Sequence, residues 1–117
     1  MKNTLLAIFV LTTISTQAFA SVNFICSLNN SKRVISIAEK HSSYDKNRHC
    51  TVSCMLALKC SDNEVLMIGL LKEIKDFLGP GEASEEDLKA DAFGVSLVSK
   101  KAAKSDSQCL SQCDLYY

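Results

Sequence analysis

The 117-residue chain has no net charge, with 13 basic residues against 13 acidic ones. No overall field therefore directs it to nucleic acid or to an anionic membrane. It has no uncharged apolar run of the roughly 20 residues that a membrane-spanning helix needs. A nucleophile elbow, a phosphate-binding glycine loop and a zincin motif are all missing, so the commonest sequence signs of hydrolase, nucleotide and metalloprotease chemistry are missing with them. No internal repeat or low-complexity segment is visible. Cys-x2-Cys is also absent. The cysteines stand as Cys-x3-Cys and His41 lies in a serine-containing loop, so neither a zinc site nor any other cofactor is expected.

The first twenty residues read as a secretory signal peptide. Lys2 precedes the apolar run Leu5 to Leu11, and Ala18-Phe19-Ala20 forms an Ala-x-Ala cleavage site before Ser21. No cysteine directly follows that site to take a lipid. The expected product, residues 21–117, is a single domain that is exported to the periplasm or the medium and lacks a transmembrane segment after cleavage. Removing Lys2 leaves 12 basic and 13 acidic residues, a charge of minus one.

Cysteines 26, 50, 54, 60, 109 and 113 make an even set in a short exported chain, which implies three disulfides. Side chains at i and i+4 of a helix point the same way. Two Cys-x3-Cys helices packed antiparallel can therefore form Cys50–Cys113 and Cys54–Cys109, which leaves Cys26 to pair with Cys60.

The longest apolar stretch, Val65 to Leu78, is charged only at Lys72, Glu73, Lys75 and Asp76. It is expected to be a central helix over about 64–78, with its first half covered on every side and with Ile74, Phe77 and Leu78 facing inward. Ser61-Asp62-Asn63-Glu64 is a capping box at its start, and Gly79-Pro80-Gly81 ends it. Helices near 46–59, 85–103 and 106–114 are expected to pack around it. Ser43 or Asp45 would cap the first, and Leu88, Ala92, Val95, Val98 and Ala102 would form the buried stripe of the second. Gly94 would either kink that helix or admit a neighbouring backbone. Val22 to Leu28 could be a short strand or arm, Asn29-Asn30-Ser31 reads as a turn, and Arg33 to Lys40 leans towards helix. The fold class is thus a mainly α, disulfide-stapled domain.

Among the polar residues, Glu73 falls at the edge of the buried face, where partial desolvation would suit an acid or base. A glutamate that snorkels to water or caps a backbone group is the commoner case. His49, beside Cys50, could face it, though a histidine near a helix start is more often simply a surface residue. Asp76, Asp87 and Asp91 complete the set, with Asp87 already accounted for by a helix cap and Asp91 by an early-helix acid.

The run Arg48-His49-Cys50-x-x-Ser53-Cys54, Gly69-x-x-Lys72-Glu73-x-x-Asp76, Asp87-x-x-Ala90-Asp91-x-x-Gly94 and Cys109-x3-Cys113 resembles small cysteine-rich exported bacterial domains, some found at the C-termini of polymorphic toxins. The resemblance singles out His49, Glu73, Asp76, Asp87 and Asp91 as a polar set but implies no agreed reaction. Asp91 stands where an Asn is more usual, which weighs against an enzymatic role there. Secreted phospholipases A2 do not match, since they carry His-Asp and a glycine-rich calcium loop. Two functions remain. The first is an exported binding or structural module for a protein or envelope component, and the other is a toxin-like hydrolase with an acid–base site around His49 and Glu73.

Overall fold

The computed structural model describes residues 24–117 apart from positions 80 and 83 and the side chain of Phe77. The expected signal peptide and the start of the expected N-terminal strand lie outside those residues. Five helices follow one another: α1 (Ile25–His41), α2 (Asp45–Ala57), α3 (Asp62–Leu78), α4 (Glu85–Ser99) and α5 (Asp106–Tyr116). No strand occurs among the described residues.

Capping serines fix three of the starts. The hydroxyls of Ser61, Ser84 and Ser105 accept from the backbone N–H groups of Glu64, Asp87 and Gln108. The return half of the first capping box does not form. Glu64 instead accepts from the Ser27 N–H at 2.9 Å, which ties the start of α3 to α1. The N-cap of α2 is Tyr44, with no side-chain cap bond; neither Ser43 nor Asp45 takes that role. In α1 the anticipated turn at Asn29-Asn30-Ser31 is helical. There Asn30 donates to the Cys26 carbonyl and Ser31 to the Leu28 carbonyl, so turn-forming side chains are satisfied within the helix. Gly79 ends α3 in extended conformation at φ −122°, so no left-handed cap forms. Helix α4 stops at Ser99 because Lys101 turns left-handed (φ 60°) and sends the Ala102 and Ala103 N–H groups back to the Leu97 carbonyl.

The centre of the domain is α2, which packs on all four other helices. Cys50, Thr51, Cys54, Met55 and Leu56 are fully or almost fully buried along it. The closest packing is with α4. A Cβ at Gly94 would collide with the Cys50 carbonyl and the Cys54 amide, so the glycine admits a backbone and does not serve as a kink. The stripe expected on α4 is rotated. Its buried residues are Asp87, Ala90, Asp91, Gly94, Val95 and Leu97, while Ala92 and Ala102 are exposed.

Three disulfides join Cys26–Cys60, Cys50–Cys113 and Cys54–Cys109, the pairs that the antiparallel arrangement requires, with Cα separations of 5.7, 5.9 and 5.7 Å. Such bridges suit an oxidising compartment. No helix of the described residues is long and apolar enough to cross a membrane.

Helix α3 forms where the sequence places it, yet its apolar side is only partly covered. Leu66, Leu70, Leu71, Ile74 and Leu78 are 38, 39, 41, 46 and 78 % exposed. At 100° per residue these five side chains share one face. Val65, Gly69, Lys72, Glu73 and Asp76 lie on the other, which is turned towards α2 and α4. The helix thus points its charged side inward and its leucines outward.

Candidate functional site

The inward side of α3 closes over a cluster of charges carried by α2 and α4. On α2, Asp45, His49 and Ser53 are spaced by four residues and so share a face. On α4, Asp87 and Asp91 repeat that spacing, opposite them. His49 Nδ1 lies 2.9 Å from Asp91 Oδ1, and the same oxygen accepts from Ser53 Oγ at 2.9 Å. His49 Nε2 faces Asp87 Oδ2 at 3.4 Å and Asp45 Oδ2 at 3.8 Å, and Lys72 Nζ stands 3.3 Å from it. Lys46 holds Asp87 Oδ1 at 2.7 Å, and Arg48 holds Asp45 Oδ1 at 3.3 Å.

Asp91 Oδ2 is buried without a hydrogen bond. Its carboxylate rests on Gly69 of α3, where any Cβ would collide with it. That contact explains a glycine in the middle of an apolar helix better than flexibility does.

Burial disfavours a charged His49, but the Asp91 hydrogen bond and the negative charges of Asp91 and Asp87 outweigh it, so its pKa is raised. Burial likewise pushes Asp87 up, but its bond from Lys46 and the nearby His49 and Lys72 bring it below the usual carboxylate value. The imidazole therefore holds its proton to higher pH than a free histidine, so less of it is in the neutral form that a general base must start from.

All five residues of the expected polar set are in this region, with different partners from those anticipated. The carboxylate that orients His49 is Asp91, and Glu73 does not reach the ring. Glu73 is buried at 4 % exposure, accepts from the Ser84 N–H at 2.7 Å and from Lys72 at 3.4 Å, and so anchors the loop before α4. Asp76 joins through Lys72, at 3.0 Å. Sequence reasoning passed over Asp45, Lys46, Ser53 and Lys72 as partners. The Asp45–His49–Ser53 spacing was the available signal.

Beside the cluster is a cleft of about 370 Å³, walled by Ile35, Val52, Leu56, Val65 and Ile68 and with His49 at its polar end. An open acidic depression of about 570 Å³ lies near Asp45, Lys46, Glu82, Glu86 and Asp87. No protein family, curated protein or solved structure matches this chain.

Proposed function

We propose that the protein is an exported, disulfide-stapled binding module that docks a partner protein along the outward face of α3. The observation that carries this reading is the inversion of that helix, with Leu66, Leu70, Ile74 and Leu78 in one exposed stripe while Glu73 is buried. A contiguous apolar stripe on a small domain marks an interaction surface, and its four-residue repeat fits the groove or helix face of another protein. A lipid surface fits less well. Helices that lie on membranes carry Lys and Arg along the flank of the apolar face, and beside this stripe stand Asp62, Asn63 and Lys75.

The test places a photo-crosslinking residue at Leu70 and, as control, at Lys89, in cells that produce the protein. A defined heterologous adduct at 70, absent at 89 and lost on Leu66→Ser/Ile74→Ser, is expected. Because those side chains are already exposed, the double variant keeps its thermal midpoint within a few degrees. A large fall would make the stripe part of the fold and end the proposal, as would an adduct with the mass of two copies of the chain.

A second reading, the toxin-like hydrolase, is favoured by one observation, the His49 ring oriented by Asp91 at the end of the apolar cleft. It ranks lower because Lys72 and Asp87 flank Nε2 and Glu73 is committed to Ser84.

A further inference from the structure

Three inward atoms in the cluster converge, and each belongs to a group whose outer atom is already held. One ligand atom from each of Asp45, His49 and Asp87 lies within 4.8 Å of the other two, and His49 Nε2 is 3.8 Å from Asp45 Oδ2 and 3.4 Å from Asp87 Oδ2. The outer atoms are His49 Nδ1 on Asp91, Asp45 Oδ1 on Arg48 and Asp87 Oδ1 on Lys46. This is how proteins support metal ligands: a carboxylate orients the imidazole through its far nitrogen, and ligating carboxylates are themselves hydrogen-bonded. The Asp87 side chain is 3 % exposed, with Oδ1 held by Lys46 at 2.7 Å and Oδ2 turned to His49 Nε2 at 3.4 Å.

Charge agrees. Asp45, Glu73, Asp76, Asp87 and Asp91 stand among Lys46, Arg48 and Lys72, so five negative against three positive charges leave minus two when His49 is neutral. The Lys72 ammonium stands 3.3 Å from Nε2 on a side chain 47 % exposed, and its pairing with Asp76 at 3.0 Å gives it a place to stay if it leaves the imidazole.

From this geometry we propose that Asp45, His49 and Asp87 bind a divalent first-row transition cation, with Asp91 as the positioning residue behind His49. One imidazole nitrogen with two carboxylate oxygens suits Zn²⁺ or Mn²⁺ better than Ca²⁺ or Mg²⁺, which prefer oxygen alone. Three protein ligands leave the remaining positions to water. The acidic depression beside Asp45 and Asp87 gives the ion its way in.

Calorimetric titration of the oxidised, chelator-treated protein with Zn²⁺ alone tests this. One ion per chain is expected, with binding lost in Asp87→Asn and in His49→Gln and unchanged in His41→Gln. Asp91→Asn should weaken it roughly 10- to 100-fold, the usual effect of an outer partner. Lys72→Gln is the decisive variant because a merely misfolded site cannot imitate its effect. Removing the competing charge should tighten Zn²⁺ on the order of tenfold. Absence of stoichiometric binding to the wild type overturns the proposal, and so does Lys72→Gln binding no tighter than wild type.

Discussion

Helix α5 meets α2 through Cys50–Cys113 and Cys54–Cys109, four cysteines without exposed surface. Helix α3 meets the same helix through Lys72 and His49, and α4 through Gly69 beneath Asp91, while Cys60, bridged to Cys26, lies just before its first turn. The first contact is dry and fixed by covalent bonds. The second depends on buried charges, whose strength changes with protonation and bound ions. With bridges holding the α2–α5 side, the α3 side can present charge inward and leucine outward without the whole domain depending on it.

The largest expected effect comes from cutting the stapled side. Cys54→Ala/Cys109→Ala should cost about 2–5 kcal/mol, which in a domain of this size lowers the thermal midpoint by roughly ten degrees or more. Differential scanning calorimetry reads it, and a loss of only a degree or two would remove the contrast between the two sides. On the polar side, Glu73→Ala leaves the Ser84 N–H without its acceptor and should cost about 1–3 kcal/mol. Glu73→Gln keeps an oxygen at that place and should lose less. If the two variants melt together, the Ser84 bond is not what Glu73 provides.

The smallest effect tests whether charge matters on the stapled side at all. The hydrogen bonds to Asp114, from His41 first and then from Asn47, hold its carboxyl below the ordinary value despite some burial. A folded pKa below the unfolded one gives stability that is present above about pH 3.9 and is lost as pH falls through the depressed value. Both side chains are substantially exposed, so the contribution is under about 1 kcal/mol. Thermal midpoints of wild type and Asp114→Asn should differ slightly at pH 6 and converge near pH 2.5. A gap that stays constant between those pH values would dissociate it from the carboxylate.

The starts of α3, α4 and α5 were legible because a serine followed three residues later by an acid or glutamine states the local geometry in the sequence itself. The cysteine partners were legible for a similar reason, since two i, i+4 pairs leave few unstrained connections. The rotation of α3 was not. Apolar periodicity shows that a helix has a greasy side and assumes that this side meets the core. Here Asp91 needs Gly69 beneath it, on the far side from most of the leucines, and Glu73, at the border of the leucine face beside Leu66, must reach Ser84. Such reasons belong to α4 and the loop before it, remote in sequence. The convergence of His49 with Asp87 and Asp91 was visible only as matching spacing on two segments whose pairing could not be read from either.

The order of the bridges along the chain governs how the molecule comes into being. In a chain that enters an oxidising compartment amino end first, Cys26, Cys50, Cys54 and Cys60 arrive before Cys109 and Cys113. Cys26 meets its proper partner 34 residues on, but the two thiols of α2 must wait 63 and 55 residues for theirs. During that wait, four neighbouring thiols can form bridges that the finished protein does not contain. Any such bridge is undone by thiol–disulfide exchange, so an isomerase added during oxidative refolding should raise the yield of native protein.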